Sequence, residues 1–183
     1  MSTDLHERAA RLGHCTWVER RCFEILGAWS TDTTPATVAV HFGTMSRRHG
    51  WHAELLRDRL PELASVDAES LVRAPGSGTE RLLDGLAGCG ADGDGLARCV
   101  GTYQVVLPVL VSTYRELSTQ LSPVAEPSLT RWLRIVIDDD LQEWADGELL
   151  LRSLLVDDAA VGAASEVQHQ MELLALRAEG LRS

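Results

Sequence analysis

The sequence predicts an all-α fold, a bundle of four long helices with a fifth helix closing the chain. Three observations carry this expectation. Apolar residues recur at steps of three and four through every long stretch, and strand-like alternation never lasts more than a few residues. A link of roughly 30 residues, rich in Gly, Ser, Pro and Asp, also separates the second stretch from the third. Such a link joins two helical hairpins by one long crossover, whereas an up-and-down bundle has three short loops.

The first helix is expected from about Leu5 to Trp29, with Leu5, Ala9, Leu12, Thr16, Phe23 and Leu26 on its apolar stripe and the face centred on Leu5 and Phe23. In the STDTTP stretch that follows, Thr34 can cap a helix and Pro35 suits its first position, so the second helix starts there and runs to about Leu60. Between Leu63 and Asp94 lies the crossover, with one short helical patch at Glu80 to Leu86. The third helix, from about Gly95 to Leu121, repeats Leu96, Val100, Tyr103, Leu107, Leu110, Tyr114 and Leu117 on one face, and Pro108 should kink it. Pro127 and Ser128 open the fourth helix, which carries Trp132, Ile135, Val136, Leu150 and Leu154 to about Leu155. A fifth helix over about 165–181 spaces Val167, Met171, Leu174, Ala178 and Leu181 like a heptad, suiting either packing across the bundle or the seam of a homodimer. Together these make one domain over residues 1–183, with the bundle over about 5–155.

Composition excludes several function classes. With 183 residues, of which 45% are apolar, the chain can bury a core, and a net charge of −10 argues against nucleic acid and anionic membrane surfaces as partners. All 17 basic residues are Arg, so neither a Schiff-base lysine nor a phosphate-loop lysine exists. The opening MSTDLHERAARLG lacks the apolar stretch of a secretory signal, which suggests a cytoplasmic protein. The longest apolar run, Val105 to Val111, falls far short of the roughly 20 residues needed to span a bilayer. Cys15, Cys22, Cys89 and Cys99 show no zinc or redox spacing and read as buried thiols.

Several polar residues fall on apolar faces. At about 100° per residue, Glu19 lies within roughly 40° of the centre of the first helix's apolar face. His41, Met45, His49 and His52 share one stripe of the second helix, while Glu54 points away. On the fourth helix Glu143 sits within about 20° of the apolar centre, flanked by Asp139 and Asp140. The third helix turns Tyr103 and Tyr114 inward but no carboxylate. A buried carboxylate is costly unless it is paired, hydrogen-bonded or metal-bound, so two readings stand side by side. In one, His49 and His52 at i, i+3 hold an ion with Glu19, Asp139 and Glu143, hard oxygen donors that suit iron or manganese. In the other no metal binds, and the same groups form a polar network, structural or lining a small-molecule pocket. His41, about 12 Å along the helix from His49, reads as a satisfied core histidine, and Tyr103 and Tyr114 read as core aromatics with bonded hydroxyls. Mirroring each hairpin through its turn leaves Glu19 about 6 Å short of His49 and brings Tyr103 near Glu143.

Glu19, the HGWHAEL segment and the IDDDLQEW segment together resemble the ferritin-like di-iron carboxylate proteins, and more narrowly uncharacterised actinobacterial ferritin-like proteins, over about residues 20–155. That family holds its metals with one Glu from each of two helices and a Glu-x-x-His from each of the other two. Here Glu19 matches the first single glutamate and His52 the first histidine, but His49 stands where that motif has its glutamate. The third helix supplies no matching glutamate, and Asp146 replaces the last histidine. The resemblance implies a divergent metal-dependent oxidoreductase acting on a small organic substrate, with Glu143 and Tyr103 as its acting residues. Without metal, Glu143 or Asp139 beside histidine would do acid–base work, or the protein would be a non-catalytic binding or interaction protein.

Overall fold

The computed structural model describes residues 5–60, 67–121 and 126–178. Among the described residues lie six helices and no strand. They are α1 (Leu5–Trp29), α2 (Ala36–Arg57), α3 (Ser77–Gly88), α4 (Gly95–Gln120), α5 (Pro127–Leu154) and α6 (Asp158–Arg177). Leu63, Leu181 and the side chain of Leu5, all used in the sequence argument, fall outside the described residues.

The α1–α2 hairpin packs tightly because small residues face each other near its turn. A side chain on Gly27 would meet Ser46 Oγ at 3.0 Å, and that hydroxyl instead crosses to the Phe23 carbonyl at 2.8 Å. Ser30 and Thr33 cap the end of α1 by donating to the carbonyls of Gly27 and Trp29 at 2.7 and 2.6 Å, groups with no partner inside the helix. Two expectations need correction here. Phe23 is 45% exposed and lies over Gly50 on the outer surface, so the inner face of α1 is centred instead on Leu12, Glu19 and Leu26. Pro35 stands one position before α2, and Thr34 does not cap the helix: its N–H donates to Gly93 and its carbonyl accepts from Gly95.

That pairing puts the starts of α2 and α4 at the same end of the bundle. Arg98, 3% exposed, fastens them: it donates to Asp32 and Thr33 at 2.5 and 2.6 Å and lies 5.2 Å from the Trp29 ring centroid. The crossover must therefore run back along the bundle, and α3 is the amphipathic part of it, burying Thr79, Leu82, Leu83 and Leu86. In a regular helix the Pro108 ring would strike the Gln104 carbonyl. The chain answers with wider π-type turns over Val100–Val106, immediately before the proline. The apolar stretch of α4 has the length and composition of a membrane span, and most of it is buried against its own chain.

α6 begins seven residues earlier than the spacing predicts because Asp157 accepts the Ala160 N–H at 2.8 Å and so caps it. Met171 and Ala178 are buried and Leu174 lies against Gly85, so the heptad-like residues pack across the bundle onto α3 and α4. All four cysteines are buried free thiols; burial pushes the pKa of Cys15 and Cys99 up to about 12.

Candidate functional site

The polar residues of the bundle meet where α1, α2, α4 and α5 converge. Glu19 is fully buried, with Oε2 2.6 Å from His49 Nδ1 and Oε1 accepting the Tyr114 hydroxyl at 2.5 Å. The mirrored hairpin left Glu19 short of His49, and side-chain direction supplies the difference. Helical side chains tilt toward the N-terminus, so in an antiparallel pair Glu19 leans away from the turn while His49 leans back toward it. His52, one turn beyond His49, places Nδ1 3.5 Å from the same Glu19 oxygen and 3.7 Å from Asp140 Oδ1. Glu19, His49 and His52 thus offer three donor atoms close enough to share one ion.

The outer nitrogen of each histidine faces a carboxylate. His52 Nε2 lies 3.2 Å from Asp139 Oδ2, and His49 Nε2 lies 3.8 Å from Glu143 Oε2. With Nε2–H donating to Asp139, the lone pair of His52 is on Nδ1, facing Glu19 and Asp140. Asp139, expected among the ligands, lies at the half-exposed rim against His52 Nε2, and Asp140 is the carboxylate turned fully inward. Asp138 and Asp146 face solvent.

Among the described residues, five buried polar atoms at this convergence have no hydrogen-bond partner: His52 Nδ1 and both oxygens of Asp140 and of Glu143. Glu143 Oε1 meets the Arg48 guanidinium at 3.0 Å as an ion pair, without the alignment of a hydrogen bond. Native interiors leave few such groups unsatisfied, so five within one cluster set this convergence apart from the rest of the core.

Tyr103 is a core aromatic with a bonded hydroxyl, as its place on the inner stripe predicts. Its ring lies on Gly147, one turn beyond Glu143, and its hydroxyl is spent on Met45 Sδ at 2.8 Å. His41 packs edge-on to that ring but leaves Nε2 without a hydrogen-bond partner among the described residues, unlike the satisfied histidine expected. Asp140 was read only as flanking the apolar centre of its helix, and the Tyr114–Glu19 bond was not foreseen. Helix phase gives a side chain's direction but not its partner on another helix.

No known family, characterised protein or solved structure matches this chain. The site must be judged on its own chemistry.

Electrostatics separates the carboxylates into two kinds. Burial alone would raise the Glu19 carboxyl, but the charge and hydrogen bond of His49, with His52 alongside, hold it well below the usual carboxylate range. Burial likewise opposes a charged His49, yet Glu19, helped by Glu143 and Asp140, lifts its pKa to about 9. Asp140 goes the other way: burial first, and then the charge of Glu19, push it well above its ordinary value. Burial also raises Glu143 against the opposing pull of His49 and Arg48. Without an ion the centre holds the Glu19–His49 ion pair, Asp140 resists ionisation, Glu143 is raised by burial against its pairing with Arg48, and Glu19 and Asp140 raise His52 against its burial.

This fixes the pH dependence of the metal-free protein. A raised histidine pKa gives stability that is complete below its unfolded value of 6.5 and lost as pH rises through about 9, worth roughly 3 kcal/mol. Asp140 and Glu143 act in the same direction, with their loss beginning as pH rises above the ordinary carboxylate range, because the unfolded chain ionises them more readily. Urea midpoints of the metal-free protein are expected to fall between about pH 7 and pH 10. A flat profile over that range would show that Glu19 and His49 are not coupled as described.

Proposed function

We propose that the chain is a divergent ferritin-like protein that holds one divalent ion, iron or manganese, at Glu19, His49 and His52, and that it is an oxidoreductase acting on a small organic molecule. The observation that carries this reading is the set of five buried atoms without hydrogen-bond partners, facing a three-residue donor group. The shared end of α2 and α4, joined by a long crossover, supports the ferritin-like connectivity. Two imidazoles with hard oxygens suit iron or manganese, and two histidines with a carboxylate leave positions open for other molecules. Such an ion supplies one-electron redox chemistry when bound. Glu19 would neutralise part of its charge, Asp140 would stand ready as a further oxygen donor, and Asp139 would orient the His52 imidazole through its outer nitrogen.

A metal-free reading has one observation in its favour. Both oxygens of Glu19 are already bonded, to His49 and to Tyr114, so that corner is complete without an ion. It leaves Asp140 and Glu143 unexplained, and an acid–base centre would need only one of them. The two readings separate on metal content. Protein purified without chelator and reloaded anaerobically with iron(II) or manganese(II) is expected to retain about one equivalent, since the donors form one group. Retention below about a tenth of an equivalent would favour the metal-free network.

A further inference from the structure

A cavity of about 160 Å³ opens between α1, α4 and the crossover, one helical turn from the metal donors. Tyr114 forms the wall between them: its ring lines the cavity while its hydroxyl reaches Glu19. Cys15, Val18, Pro75 and Leu117 make the lining largely apolar. An apolar cavity of about 150 Å³ accepts a benzene-sized molecule.

The charged side chains that line it, Arg11 and Glu116, are engaged. Arg11 donates to Glu7 at 2.7 Å and to Gln120, and Glu116 is likewise engaged. His14 is half-buried in the wall, and burial, with Arg73 nearby, lowers its pKa, which leaves a neutral imidazole able to donate or accept one hydrogen bond. A carboxylate entering this space would be desolvated without gaining an uncommitted cation from the lining; Arg73 acts on His14 from outside it.

We infer that this cavity binds a small uncharged molecule, mainly apolar and about the size of a six-membered ring, with one hydroxyl or carbonyl bonded to His14. The binding stands independently of the metal; its role as the place where substrate meets the centre rests on the metal reading.

Calorimetry on the metal-free protein with cyclohexanol and cyclohexanecarboxylate tests this. Cyclohexanol should bind, and at least about tenfold more tightly than the carboxylate. Leu117→Trp, which fills the cavity from a half-buried position, should weaken cyclohexanol by at least about tenfold. His14→Leu should weaken it about fivefold, the worth of one neutral hydrogen bond. Both variants replace half-buried side chains, and cooperative unfolding checks their fold. No cyclohexanol binding, equal or tighter carboxylate binding, or indifference to Leu117→Trp would overturn the inference. Loss of cyclohexanol binding with a full equivalent of metal retained would leave the metal reading intact, and metal failure with cyclohexanol binding intact would leave the cavity.

Discussion

Glu19→Ala is expected to abolish metal retention and to cost the metal-free protein about 3–5 kcal/mol. The substitution removes the only group bonded to His49 Nδ1 and to the Tyr114 hydroxyl among the described residues, and both are fully buried. Neither can reach water, so the cost is that of stranding two polar groups, added to the loss of the buried side chain's packing. Glu19→Gln distinguishes the two effects. An amide of the same shape can still accept from Tyr114, so the part of the stability that does not depend on the Glu19–His49 charge pair should return, while the missing charge lowers affinity for the ion by at least about a hundredfold. Urea denaturation and metal content, measured on both variants, read the two effects separately. A Glu19→Ala protein as stable as the parent would show that the cluster is not under the constraint described.

Gly147→Ala is the largest effect expected away from the cluster. In the middle of a long helix this substitution ordinarily stabilises by about 0.5–1 kcal/mol. Here the added Cβ would meet Tyr103 Cε1, Cδ1 and Cζ at 2.1, 2.2 and 2.4 Å. The ring cannot retreat: Phe42 stacks against it at 6.5 Å, His41 closes its edge at 5.8 Å, and Met45 holds its hydroxyl. Overpacking therefore outweighs propensity, and a net loss of about 2–3 kcal/mol is expected in urea denaturation. Gly162→Ala on α6 is the matched control, since nothing lies within 4 Å of its added carbon. It should gain up to about 1 kcal/mol. Equal effects at the two positions would mean that Tyr103 is not seated on Gly147.

The helices, their order and the crossover could all be read from the sequence, because each depends on local periodicity and on residues such as Pro127 that act within one turn. The inward direction of Glu19, His49, His52 and Glu143 was legible for the same reason. What periodicity could not give was partnership. Whether Asp139 or Asp140 turns toward His52 Nδ1 depends on the rotation of α5 against α2, a matter of packing between segments far apart in sequence. Phe23 shows the opposite failure: a large apolar residue assumed to mark the core rests outside on Gly50, because the inner face of α1 is occupied by Glu19 and its partners. The seat of Tyr103 on Gly147 was equally hidden, since a helical glycine carries no sign of what lies above it.

X-ray absorption on protein loaded anaerobically with iron(II) most directly tests the centre itself. Two histidine imidazoles with oxygen donors in the first coordination sphere, falling to one imidazole in His52→Ala, are expected. An oxygen-only sphere, or one unchanged by His52→Ala, would contradict the assignment of the ion to Glu19, His49 and His52.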